Sequence, residues 1–310
     1  MLKMSENQLS MFAALLGQKG GKSTSPQKCR ASVKNGALGG RPLRPILNPD
    51  GVSVHGCNFI YAPQGQAGEY APLACNPYRG CGHGCMYCYV PLVLKMNRQE
   101  FDSGATPRIN FNENLTKDAR KYQALGITEQ VMLSFTTDPY HPGETSLTTA
   151  TIQTLVDHGL GFCTLTKGGK RALRDLAMFR RDRDAFATTL TSLDDRFSLQ
   201  WEPHATPSSE RIRVLKKFHE AGIFTWVSLE PTLSTESSLE IVRQTHEYVD
   251  LFKVGRVNYL GLTQSTDWGN YTHRMMDLMN LLEIKHYFKH DLQSFLPSEY
   301  ENPMRIPQHH

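Results

Sequence analysis

Residues 131–139 read VMLSFTTDP. A short apolar run stops in two threonines, an aspartate and a proline. Its first half has the length and composition of a buried strand, and its second half sets hydroxyls and a carboxylate where that strand ends. The same pattern returns in GFCTLTKGG (161–169), FATTLTS (186–192), FTWVSLEP (224–231) and DLFKVGRVN (250–258). Between these runs the apolar residues take a helical period, at 113–125, 145–158, 170–182, 207–221, 235–248 and 271–285. One further strand ahead of residue 76 completes six β–α units. Strands alternating with helices predict a parallel sheet with the helices outside it. The expected fold class is therefore α/β, a partial (β/α)6 TIM-like barrel. HYFKH at 286–290 offers a short final strand.

Folds of this kind carry their chemistry at the carboxyl ends of the strands. Thr136, Thr137 and Asp138, then Thr166 and Lys167, then Thr191 and Ser192, then Glu230, then Arg256 and Asn258 all fall at such ends. Any one of them alone reads as a turn or cap residue. Five ends of the same kind point to one polar rim. Glu230 is placed to orient a bound molecule, to accept a proton, or to make a structural hydrogen bond. Arg256 is suited to grip a carboxylate or phosphate with two N–H groups.

The loop after the first strand, NPYRGCGHGCMYCY (76–89), adds three thiols spaced Cys81-x3-Cys85-x2-Cys88. Gly80, Gly82 and Gly84 leave space for the backbone to wrap a bulky object. A structural zinc site takes four ligands, and Cys57, Cys75 or His83 would have to supply the fourth. A ferredoxin-type cluster also takes four cysteines. Three thiolates on a four-iron cluster leave one iron open to a substrate or cosubstrate. GQKGGKST near residue 20 is one residue short of a phosphate-binding loop and follows no strand, so it carries no nucleotide reading.

The form C-x3-C-x-Φ-C, with Tyr87 at the aromatic position, resembles the radical S-adenosylmethionine (SAM) superfamily. Cys85-Met-Tyr87-Cys88-Tyr89, Thr136-Thr137-Asp138-Pro139, Thr166-Lys167 and Trp201-Glu202-Pro203 narrow the likeness to its spore photoproduct lyase-like branch, over roughly residues 73–260. The resemblance implies a 4Fe-4S cluster on Cys81, Cys85 and Cys88, with SAM on the open iron. One electron then cleaves SAM to a 5′-deoxyadenosyl radical that abstracts a substrate hydrogen. It places Thr137, Asp138, Lys167 and Thr191 against SAM and Tyr87 beside the adenine, with Arg256 a further candidate cofactor contact. Tyr89, as a hydrogen shuttle, and Glu230 are its candidate catalytic residues. The branch's DNA-repairing lyases carry a hydrogen-donating cysteine where this chain has Phe135, which cannot return a hydrogen atom. Cys163, four residues before Lys167, belongs about 13 Å deeper in the barrel, as core filler. The expected function is thus radical SAM chemistry on a nucleic-acid base or nucleotide, distinct from spore photoproduct repair. The same chemistry on a peptide or small metabolite is the alternative, and a non-catalytic zinc or iron–sulfur module a third reading. A flavodoxin- or ferredoxin-like electron donor is the implied partner.

Charge is unevenly spread. Of the net +4, residues 1–50 hold +6, eight Lys or Arg against Glu6 and Asp50, and the rest −2. The expected organisation is a flexible basic leader (1–50) able to touch phosphates, a lead-in (51–72), the barrel (73–286) and a C-terminal extension and tail (287–310). No apolar run approaches the roughly 18 residues of a membrane span. Seven cysteines without a secretory leader point to ligands or core fillers in a reducing, cytoplasmic setting.

Overall fold

The computed structural model describes residue 54 and residues 56–257 and 266–300. The basic leader, Asn258 and the tail beyond residue 300 lie outside the described residues.

Seven strands make one parallel sheet: β1 (Leu73–Cys75), β4 (Gln130–Leu133), β5 (Gly161–Thr166), β6 (Ala185–Thr189), β7 (Phe224–Thr232), β8 (Leu251–Arg256) and β9 (His286–Phe288). They lie in that order across the sheet, each hydrogen-bonded to its neighbour. The sheet curls into a half-barrel with its helices outside. Between β1 and β4 the chain makes a detour. Two short strands, β2 (Tyr78–Arg79) and β3 (Thr106–Pro107), pair antiparallel and pinch off residues 80–105 as a separate lobe at the strand ends.

Side-chain alternation explains why these runs became strands. Val131, Phe162, Phe186, Val227 and Phe252 point outward into one large core shared with the helices. Their neighbours Met132, Cys163, Ala185, Ala187, Trp226 and Leu251 point inward and fill the barrel. Such period-two splitting gives both faces of each strand an apolar burial, as a parallel sheet requires. Helix Ser208–Glu220 shows the complementary pattern, burying Arg211, Val214, Leu215 and Phe218 along one stripe. Inside the barrel Trp226 donates its indole N–H to Cys163 Sγ at 3.2 Å, so Cys163 is buried packing.

The helical segments at 113–125, 145–158, 207–221, 235–248 and 271–285 all appear, with ends shifted by a few residues. The one expected at 170–182 instead winds as a 3-10 stretch over Gly169–Met178. Asp175, buried there, accepts from Thr149 and Arg174, and Arg171 reaches the carbonyl of Tyr140 at 2.7 Å. These side chains tie the segment to the strand ends beneath it. Helix Asp195–Trp201 was not visible as an apolar period because it is only seven residues long. No helix among the described residues is long and apolar enough to cross a membrane.

Candidate functional site

A pocket of about 510 Å³ opens at the carboxyl ends of the strands. Its walls include Cys81, Cys85 and Cys88, and also Tyr87, Tyr89, Thr137, Asp138, Lys167, Glu230 and Arg256. Ten of the eleven residues singled out in the sequence therefore meet in one cavity. The eleventh, Thr191, does not line it. Strand β6 ends two residues earlier, so Thr189 supplies that strand's hydroxyl to the pocket.

The cysteine loop is held by backbone capture. Cys81 N–H donates to Phe101 O at 2.9 Å, Met86 N–H to Trp201 O at 2.8 Å, and His204 N–H to His83 O at 3.1 Å. Arg98 donates to the carbonyls of Cys85 and Cys88 and is itself steadied by Asp102 at 2.5 Å. Asn97 caps the short helix that carries Arg98, accepting from Gln99 and Glu100 N–H. The glycines serve this packing. A Cβ at Gly80, where φ is +86°, would lie 2.3 Å from Gly104 O. A Cβ at Gly84 would meet His204 at 3.3 Å. At Gly80 and Gly84 the loop needs glycine to lie against its own protein neighbours.

Burial pushes the Cys81 and Cys85 thiols up to about 12 and raises Cys88 as well. Thiols so shielded become thiolates when a bound metal supplies the compensating charge. They do not gather on a single ion: among the described residues no three His, Cys, Asp or Glu converge on one metal position. His83, the candidate fourth zinc ligand, is fully used by the protein. Its Nδ1 stands 3.4 Å from Asp138 and its Nε2 3.1 Å from Arg171. Burial holds this imidazole down to about 4, so it is neutral. Among the described residues no fourth ligand joins the three thiols at one position.

Asp138 is committed as well. It accepts from Tyr140 N–H at 2.8 Å, Lys167 N–H at 2.7 Å and the Thr166 hydroxyl at 2.5 Å. It joins the ends of β4 and β5 to the cysteine loop, through His83. Thr137 donates to Gly80 O and pins the loop from the same strand end. The Lys167 ammonium, by contrast, has no carboxylate within salt-bridge distance among the described residues and stands 5.6 Å from the Tyr87 ring centroid. Burial alone would lower its pKa, but Cys85 and the carboxylates of Glu202 and Asp138 outweigh that and keep it protonated. The Tyr87 hydroxyl donates to Glu202, which also pairs with Arg211. Both charged partners are fully buried, and Arg211 donates further to Thr206 O and Thr189 O at 2.7 Å each. This brace fixes Tyr87 in the pocket wall. Tyr89, at 39% exposed, sits at the mouth.

The other wall comes from β7, β8, β9 and the lead-in. Glu230 accepts from Lys289 Nζ at 2.5 Å and from the Tyr70 hydroxyl, which lies 3.0 Å from Ser228 Oγ. Of the roles open to Glu230 in the sequence, the structural hydrogen bond is the one seen, made with two side chains. Neither Tyr70 nor Lys289 stood out in the sequence, and nothing local to them could have shown it. Tyr70 stacks edge-on against Phe135, with centroids 6.1 Å apart.

The family model described as the radical SAM superfamily matches residues 75–267. Among curated proteins, the uncharacterized protein ORF301 of Acidianus two-tailed virus is 25% identical over 231 residues, spanning 70% of this chain and 73% of that one. Among solved structures, Streptococcus suis SuiB bound to S-adenosylmethionine superposes with a TM-score of 0.54 at 16% identity, over 74% of this chain. This chain spans 53% of SuiB's length. A mutant spore photoproduct lyase with a dinucleoside spore photoproduct gives 0.53 at 14% identity, over 70% of this chain and 76% of the lyase. At these identities the two structures speak for the fold.

Proposed function

Since the chain belongs to the radical SAM superfamily, we propose that its strand-end pocket performs radical SAM chemistry, with Cys81, Cys85 and Cys88 as the cluster ligands. The observation that supports this most is three shielded thiols and the Lys167 ammonium lining one pocket of about 510 Å³. When bound, a 4Fe-4S cluster and SAM supply the electron and the sulfonium from which a hydrogen-abstracting 5′-deoxyadenosyl radical arises.

The protein's own part is to hold and orient. Lys167 offers an ammonium to the carboxylate of SAM, and Tyr87 an apolar face beside it. Arg98 and Phe101 hold the cysteine loop in shape through its backbone. Asp138 positions His83 and the N–H of Lys167 from the wall of the same pocket. Phe135, Leu165 and Tyr70 keep water from the cavity where a carbon radical would form.

For substrate, a nucleic-acid base or nucleotide is the reading the basic leader favours, with its +6 charge over residues 1–50. A base within a duplex would have to be turned out to reach the pocket. Phe135 in place of a thiol argues against spore photoproduct repair itself. An acidic one-electron carrier of the flavodoxin or ferredoxin kind is the proposed donor, and the cytoplasm the proposed site of action.

The test is anaerobic reconstitution with iron and sulfide, followed by reduction in the presence of SAM. The expected result is a brown protein that releases 5′-deoxyadenosine. A colourless protein that takes up one zinc and releases none would overturn the enzyme reading. Binding to single-stranded DNA or RNA that weakens with salt supports the nucleic-acid substrate, whereas no binding at low salt refutes it.

A further inference from the structure

At the β7–β9 end of the pocket one cation has no acceptor for its side chain among the described residues. Arg256 closes β8 and lines the cavity. Its guanidinium lies 5.0 Å from the centroid of Trp268, an indole only 5% exposed. A cation over an indole face is attracted to it and held in place. Its Nε is sealed from water and has no hydrogen-bond partner. No carboxylate among the described residues forms an ion pair with it. Glu230, one strand away, is held by Lys289 and Tyr70, and Asp291 accepts the backbone N–H of Arg256 at 3.3 Å rather than the guanidinium. Buried donors in folded proteins are almost always satisfied, and an exception in a cavity wall marks where a ligand supplies the acceptor.

Position separates this group from the cofactor. In the sheet order β1-β4-β5-β6-β7-β8-β9, the cysteine loop and Lys167 follow β1 and β5, while Arg256 follows β8. The carboxylate of SAM already has an ammonium, from Lys167, on the cysteine side. The same pocket is also lined by flat or apolar side chains, Tyr61, Pro63, Tyr70 and Phe135, and Tyr70 meets Phe135 edge-on.

We propose that Arg256 anchors an oxyanion of the substrate, a phosphate or carboxylate carried on a flat, largely apolar body that rests against Tyr70 and Phe135. This rests on the pocket being the radical SAM site, and it moves Arg256 from the candidate cofactor contacts to the substrate side. The substrate class it defines excludes neutral and cationic molecules.

The test uses the reconstituted, SAM-loaded full chain and calorimetric titration with two matched pairs. Thymidine 5′-monophosphate against thymidine probes a phosphate, and N-acetylphenylalanine against its amide probes a carboxylate. In the wild-type protein at least one charged member should bind roughly ten- to hundredfold more tightly than its neutral partner, as a charge-assisted pair implies. The pair that shows the preference identifies the source of the oxyanion. Arg256→Gln should erase the preference while SAM still binds, and Arg256→Lys should keep part of it, which guards against a variant that fails to fold. Arg274→Gln, a surface arginine already paired with Glu236, is the control and should change nothing. No preference in the wild type, a preference that survives Arg256→Gln, or a loss of SAM affinity in that variant would each overturn the assignment. Formation of 5′-deoxyadenosine is followed in the same samples. If it appears while the oxyanion preference does not, this inference alone fails; if it never appears, the radical SAM reading fails.

Discussion

On one side of the pocket, Cys81, Cys85 and Cys88 come from eight consecutive residues and share a wall with Lys167. On the other, Tyr70, Glu230, Arg256 and Lys289 come from the lead-in, β7, β8 and the residue just after β9. The first wall is a local motif braced by its surroundings. The second exists only where strands that are distant in sequence have paired. The first holds three shielded thiols and one ammonium, Lys167, that has no carboxylate within salt-bridge distance among the described residues. The second has already spent Glu230 on Lys289 and Tyr70 and keeps a single guanidinium in reserve. What the contrast teaches is that a polar residue at a strand end becomes available for chemistry only if no neighbouring strand end has claimed it.

Five measurements break or sharpen the contrast, starting with the largest effect. Replacing Cys81, Cys85 or Cys88 by Ala should abolish iron loading and 5′-deoxyadenosine release while leaving the circular dichroism of the fold intact. A variant that still loads a cluster and turns over would remove that thiol from the ligand set. Next comes Glu202→Ala, which strands Arg211 as a buried charge and frees Tyr87. Breaking one partner of such a pair costs about 3–5 kcal/mol, read as a lower urea midpoint. A loss under about 1 kcal/mol would show that the brace is idle.

Lys167→Met should weaken SAM binding by roughly ten- to hundredfold with iron content unchanged. Equal SAM affinity in both proteins would exclude Lys167 from the cofactor wall. On the opposite wall, Lys289→Met removes the ammonium that pairs with Glu230 while the Tyr70 hydroxyl still donates to it. A stability loss of about 2 kcal/mol is expected from chemical unfolding, and no loss would mean that the clamp is decorative. The smallest effect concerns pH. His286, buried on β9, donates through Nδ1 to Ile284 O at 2.7 Å and accepts at Nε2 from the Tyr300 hydroxyl. Burial holds its pKa below the ordinary 6.5. As pH falls through 6.5 the unfolded chain takes a proton that the folded chain refuses, so stability is lost toward acid. His286→Gln should flatten the fall of the unfolding midpoint between about pH 7.5 and 5.5, and an unchanged slope would show that this imidazole contributes nothing to it.

How legible each wall was follows from how local its determinants are. Cys81-x3-Cys85-x2-Cys88 could be read because a three-ligand loop is written in adjacent residues. Lys167 could be read because it ends an apolar run. Thr191 was misplaced by two residues because a strand's last hydrogen bond depends on its partner, and β6 stops pairing with β7 at Thr189. The glycines were recognised as necessary, but what crowds them is Gly104 and His204, which the sequence does not bring near. Glu202 was visible as part of a motif without any sign that Arg211 and Tyr87 would meet it.

The amino-acid sequence by itself determined the alternating strands and helices, the polar rim and the triplet of thiols. These rest on periods of two and 3.6 residues and on spacings within one loop, all set by backbone geometry over short distances. Only the tertiary structure decided which of the rim's charges would be consumed. Glu230 found Lys289 and Tyr70, Asp138 found His83 and the N–H of Lys167, and Arg256 found an indole but, among the described residues, no carboxylate. That sorting depends on which strand ends become neighbours when the sheet closes, and a chain's local pattern carries no record of it.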